Sequence, residues 1–369
     1  MRPVIPLLDG TVAVSAVAAL LSAPGVLRRE PRPGREGRFG PEGALALVVA
    51  LIFLNQALVA VYVQRVKGGS TAFITRYLPP GWFDVPRLDR LAAHFPAPEL
   101  LAPSVLRVQA FLELPLVLLT FVAVLRRLDR RLYVRVARSP LIPLAAASYT
   151  VAFCAVEWDL RNPYTVDDIL LRVLSGAVTP VLISWLARRE PAEHRPPRNP
   201  LLFVLDLWAY GQLMLMLYDT VLLYDLARIG GHLPSAVAAL AVLTATRLVE
   251  HRTPSPTGPR VTALTGAIGR ALALFLVPAL AIRYAGTFGT PQLAALAGLV
   301  ALGAAVRRDT PRLLPAALAG AVAGYAVARI APGPYYEATL LRSATGALLA
   351  TTALCALLDT TRTRLVVRS

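Results

Sequence analysis

The residues best suited to chemistry are carboxylates placed where carboxylates are costly. Glu113 falls in the middle of an apolar run, in Ala110-Phe111-Leu112-Glu113-Leu114-Pro115. An ionisable side chain inside a bilayer costs roughly 2.5 to 3.5 kcal/mol on insertion scales, so it faces a cavity or a partner and is a functional candidate by default. Pro115, two residues on, would loosen the helix around it. The competing reading of Glu113 is a structural pair with an interior arginine such as Arg270. A second acidic group closes the next apolar run: Glu157-Trp158-Asp159, then Leu160-Arg161-Asn162-Pro163-Tyr164-Thr165-Val166-Asp167-Asp168. Such carboxylates could hold a divalent cation or supply a catalytic acid. Thr165 and Asp168 also suit the N-cap and first turn of a following helix, and no metal ligand set is assigned.

A third polar row runs through residues 201 to 227, with Asp206, Trp208, Tyr210, Gln212, Tyr218, Asp219, Tyr224 and Asp225. At helical spacing Asp206 and Tyr210 share one side, and Tyr218 and Asp225 stand seven apart. A lipid-facing helix would not tolerate that row, so it belongs inside a bundle, as a packing seam or a pocket wall. Candidate catalytic residues are therefore Glu113, Glu157, Asp159 and Asp219. Candidate substrate-binding residues are Tyr210, Tyr218, Trp158, Asp225 and Arg161.

The elements that position these residues follow from composition. The chain has 369 residues, 56% hydrophobic and only 16% charged, against about 45 to 50% and 25% in ordinary globular proteins. Mean hydropathy is +0.57, and the charges cluster in short stretches between long uncharged runs. The expected fold is an all-α, polytopic transmembrane bundle. With about 20 apolar residues per crossing, about eleven spans are read, near 9–26, 43–64, 104–125, 140–157, 169–187, 201–227, 232–248, 261–284, 290–306, 312–331 and 341–358. The first has a competing reading as a secretory signal peptide. The whole chain, 1–369, reads as a single membrane domain with an outer-surface loop at 65–103, in which a short amphipathic helix is expected near residues 85–95.

Arginines fill alternate connections: 28–38, 126–138, 188–198, 247–260, 307–312 and the C-terminal tail. The positive-inside rule then places the N-terminus outside and the C-terminus in the cytoplasm. The net charge of +16 is accounted for by this topology, so no nucleic-acid partner is expected. Lys67 is the sole lysine, and the heavy use of Arg, Ala, Leu and Pro points to a high-GC genome and hence a bacterial plasma membrane. On this topology Glu157, Asp159, Asp167, Asp168, Asp219, Asp225, Tyr335, Tyr336 and Glu337 converge on the non-cytoplasmic side, with Glu113 just beneath. Cys154 and Cys355 lie in separate apolar runs without metal-ligand spacing, as small buried side chains.

Walker A, GxGxxG, HExxH and GxSxG patterns are all lacking, so no cofactor is read from the sequence. Two functional classes remain. One is a membrane-embedded enzyme acting on a lipid or isoprenoid-like substrate. An acid in apolar surroundings would protonate it there, or polar groups at the outer face would manage a phosphate leaving group. The other is a transporter or export component in which Glu113, Asp206 and Asp219 line a path, though no internal repeat supports it. A non-catalytic scaffold would need only the bundle. The partners expected are the lipid bilayer and a lipophilic small molecule.

Overall fold

The computed structural model describes residues 40–68, 70, 107–160, 163–190, 199–221, 226–252, 258–264, 266–268, 306–307, 311–332 and 336–367. Among these, 91% of residues are α-helical and none is in a strand. Among the described residues, four helices are long and apolar enough to cross a membrane. The first predicted span, all of the ninth but residue 306, nearly all of the 65–103 loop and most of the eighth span lie outside the described residues.

Helix α1 (Pro41–Lys67) starts on Pro41, whose missing N–H is no loss at a first helical position. It ends at Gly68, which takes φ 56° and donates its N–H to the Val63 carbonyl. A side chain there would be strained, so glycine ends the helix. Between Leu114 and Leu125, helix α2 (Gln109–Leu128) is apolar on every side but for Thr120 and buried throughout. Such a helix has no polar side to turn outward and takes the centre. It packs against α1, α3 (Arg130–Ala137), α4 (Leu141–Leu160), α5 (Thr165–Arg188) and α6 (Pro200–Val221).

Helix α3 departs from the sequence expectation, which read 126–138 as a basic connection only. Asp129 breaks α2 and accepts hydrogen bonds from the Arg131 and Leu132 N–H groups, capping a new helix. Leu132, Tyr133, Val136 and Ala137 then recur at helical spacing and are buried against the bundle.

Helix α5 is amphipathic with its polar side inward. Thr165, Asp168, Arg172, Ser175 and Thr179 are buried at alternating spacings of three and four. Val166, Leu170, Val173 and Val181, in contrast, are each more than half exposed. In water that arrangement would leave the apolar stripe unburied and bring charges inward at a cost. In lipid it is the favourable one, because only the interior can satisfy polar groups.

Helix α7 (Leu226–Arg252) lies along α6. Helix α8 (Leu314–Ile330), entered through a 3₁₀ turn at Pro311–Leu313, pairs with α9 (Tyr336–Val367). The contact is made of small residues: Ala316, Gly320, Gly324 and Ala328, four apart on α8, face a buried row of Thr339, Ser343, Ala347 and Thr351 on α9. A Cβ on Gly320 would stand 2.6 Å from the Ala347 carbonyl oxygen. The Ser343 hydroxyl donates to the Gly324 carbonyl at 2.8 Å. Small residues let the backbones approach until dispersion and a cross-helix hydrogen bond hold them together, which is how helices associate without a hydrophobic drive.

Candidate functional site

The buried charged residues of α1 to α7 gather in two clusters, toward opposite ends of α2. The first cluster joins the start of α2, the end of α4 and the start of α5. Its centre is Arg172, 6% exposed at the side chain. Arg172 Nε and Nη2 both donate to Glu157 Oε1, at 3.2 and 2.8 Å, and Nη1 donates to Glu113 Oε2 at 2.7 Å. The Tyr149 hydroxyl donates to the same Glu113 oxygen at 3.3 Å. The Tyr149 ring stacks on Phe153 with centroids 4.4 Å apart, and Phe153 receives the Arg172 guanidinium 4.6 Å from its own centroid. A delocalised cation over a π face, with its donors spent on carboxylates, is a stable place for an arginine in a low-dielectric interior. Beside it Arg107 Nε donates to Asp168 Oδ1 at 2.7 Å, and Nη2 pairs with the other oxygen.

Sequence and geometry meet at Pro115. A proline cannot donate to the carbonyl four residues back, which leaves the Phe111 oxygen without its helical partner. The Ser175 hydroxyl of α5 donates to that oxygen at 2.6 Å. The expected loosening of α2 near Glu113 is thus replaced by a cross-helix tie in the same turn.

Glu113 and Glu157, both expected as site residues, are brought together. The apolar surroundings expected for an acid are replaced by an arginine and a tyrosine. Arg172 supplies the structural partner for Glu113, and Arg270 lies outside the described residues. Thr165 is the first helical residue of α5, not its N-cap, and its hydroxyl donates to the Glu157 carbonyl at 3.4 Å. Trp158, 57% exposed, sits at the same end on the outer surface of α4. Asp159 follows Glu157 by two residues in α4, with its side chain outside the described set, and Arg161 is outside it altogether. Among the described residues no group of three or more His, Cys, Asp or Glu side chains could hold a metal. Asp168 and Glu157 are turned to arginines instead.

The second cluster lies toward the other end of α2. Glu42 of α1 accepts from Arg126 at 2.9 Å and pairs with Arg127 at 3.0 Å. Glu190, just after α5, accepts from Arg126 at 2.6 Å and also from Arg130 of α3. Burial holds the Tyr133 phenol above its usual range, and the nearby Glu190 carboxylate adds to this. Asp206 and Tyr210 are fully buried in α6, as the polar row required, with Gln212 nearly so. Asp206 accepts from the Thr246 hydroxyl and stands 3.8 Å from Arg247, which also reaches the Arg127 carbonyl at 3.3 Å. Tyr218 and Asp219 lie in the last turn of α6 with side chains outside the described set, and Asp225 lies outside it entirely.

Glu113 and Arg127 are fourteen residues apart on one helix, about 21 Å at 1.5 Å per residue, so Glu113 and Asp206 serve different ends of the bundle. The sequence reading passed over Arg172, Tyr149 and Arg107. The signal for Arg172 was present as a single arginine in an otherwise apolar run, four residues after Asp168. Comparison with protein-family models, with curated proteins and with solved structures found no match.

Proposed function

We propose that the chain is a multi-pass protein of a bacterial plasma membrane, crossing about eleven times with its N-terminus outside and its C-terminus in the cytoplasm. In this reading it is an enzyme acting on the polar end of a lipid or isoprenoid-like substrate, with Glu113 as the carboxyl that exchanges a proton with it. One observation carries the reading. Glu113 has one oxygen fixed by Arg172 and Tyr149, while its side chain keeps 19% exposure and its other oxygen has no partner among the described residues. Glu157, by contrast, is 8% exposed and closed in by the same arginine. A carboxyl oriented through one oxygen and open at the other has the geometry of a general acid or base. Trp158, exposed at the same end, suits the headgroup layer where a lipid's polar end lies. Tyr210 and the rest of the α6 row then serve as interior packing.

The test compares lipid extracts from cells lacking the chain, cells restored with the native chain, and cells restored with Glu113→Gln at matched protein level. The expected outcome is a lipid species whose abundance the native chain restores and Glu113→Gln does not. Identical extracts from all three strains would end the enzyme reading. The transporter reading draws on a different observation, the full burial of Asp206 at the opposite end. Proton flux into liposomes that is lost in both Asp206→Asn and Glu113→Gln would put that reading first.

A further inference from the structure

The arginines at the α3 end divide into two sets with different surroundings. Arg126, Arg127 and Arg130 are committed to Glu42 and Glu190. Arg131 and Arg135 are exposed, and neither side chain meets a carboxylate among the described residues. With Arg138 they follow at spacings of four and three, so they form one stripe along α3 opposite the buried Leu132, Tyr133, Val136 and Ala137.

Helix α3 is also fixed in place against the end of α5. The Arg138 Nη2 donates to the Ala187 carbonyl at 3.1 Å, and Arg130 at the other end of α3 binds Glu190. This puts exposed Arg188 and Arg189 next to the stripe. Arg189 lies over the Trp185 ring, 3.7 Å from guanidinium carbon to centroid. An exposed tryptophan one turn inside a spanning helix marks the level of the headgroups. Because the apolar face of α3 is spent on the bundle, the helix does not use it to enter the bilayer. Its outward face offers only guanidinium groups at headgroup height.

We propose that this stripe, with Arg188 and Arg189, is a docking surface for the phosphodiester headgroups of anionic phospholipids in the adjacent leaflet. The guanidinium fork matches phosphate oxygens two at a time. Each arginine near such a surface contributes about 1 kcal/mol, or about a fivefold change in binding constant. The inference rests on the membrane reading above but not on the enzyme reading.

The experiment uses the full chain in nanodiscs of phosphatidylcholine alone or with phosphatidylglycerol, and counts lipids retained on the protein by native mass spectrometry. The native chain is expected to retain phosphatidylglycerol preferentially, with millimolar inorganic phosphate unable to displace it. Arg131→Gln with Arg135→Gln is expected to weaken that preference by about 25-fold, the product of two fivefold steps. Arg329→Gln, at an exposed position on α8, is expected to leave it unchanged. Equal retention of both lipids by the native chain, an undiminished preference in the double variant, or displacement by free phosphate would each overturn the proposal. Failure of the native chain to enter nanodiscs at all would overturn the membrane reading with it.

Discussion

The Ser175–Phe111 contact shows how little separates a defect from a device. Pro115 orphans one carbonyl, and an orphaned carbonyl in a low-dielectric interior costs more than the hydrogen bond it lost. A hydroxyl on the neighbouring helix repairs it at 2.6 Å, which fixes α5 against α2 within one turn of Glu113. Replacing Ser175 by Ala is therefore expected to lower stability by about 0.6 to 2 kcal/mol. In a Pro115→Ala background the new N–H recovers the Phe111 carbonyl and the same change should cost almost nothing. Unfolding of the four proteins of this cycle in detergent checks the coupling, and equal losses in both backgrounds would show that the two residues act independently. Of this arrangement the sequence disclosed Pro115 and Glu113 but not Ser175, because a serine sixty residues away carries no mark of its partner. Arg172, though passed over, was more legible: a lone arginine among leucines and valines needs a counter-charge, and Glu113 had a reading as the partner of an interior arginine.

At the scale of elements, the apolar runs located the helices well because lipid demands a minimum length of unbroken hydrophobicity. They were least informative where a helix lies outside that demand. Helix α3 has eight residues, too few to register as a run, yet Asp129 and the four buried apolar positions after it carry an ordinary capping and periodicity signal. The α8–α9 pair was located as two spans, but its mode of packing lay in a subtler pattern, the fourfold recurrence of small residues. That pattern makes a specific demand on Gly320. A leucine there meets the Ala347 carbonyl and the Thr351 side chain, neither of which can withdraw far, and is expected to cost about 1 to 3 kcal/mol by overpacking. The melting temperature of the purified protein reads this directly. Leucine at Gly68 would fail for another reason, its positive φ, although a Cβ there meets nothing within 4 Å.

For the whole molecule, the decisive property is which side of each helix is polar. Helix α5 presents valines and leucines outward and Asp168, Arg172 and Ser175 inward, and the arginines of the far end sit on α3 and the last turns of α2 and α5. If the alternating orientation holds, cysteines placed at Pro163 and Ala331, both exposed, are labelled in intact cells by an impermeant maleimide, and one at Arg189 is labelled only after permeabilisation. Labelling of Pro163 and Arg189 from the same side would refute the crossing of α5 itself, which a mere inversion of the bundle would not.

The order of the charges along the chain has a consequence for biogenesis. Arg172 would be costly to release into lipid alone, by roughly 2.5 to 3.5 kcal/mol on insertion scales. Both carboxylates that hold it belong to α2 and α4, which are synthesised before α5. Both counter-charges therefore precede Arg172 in order of synthesis, Glu157 by 15 residues and Glu113 by 59, so neither partner has to be waited for once α5 emerges.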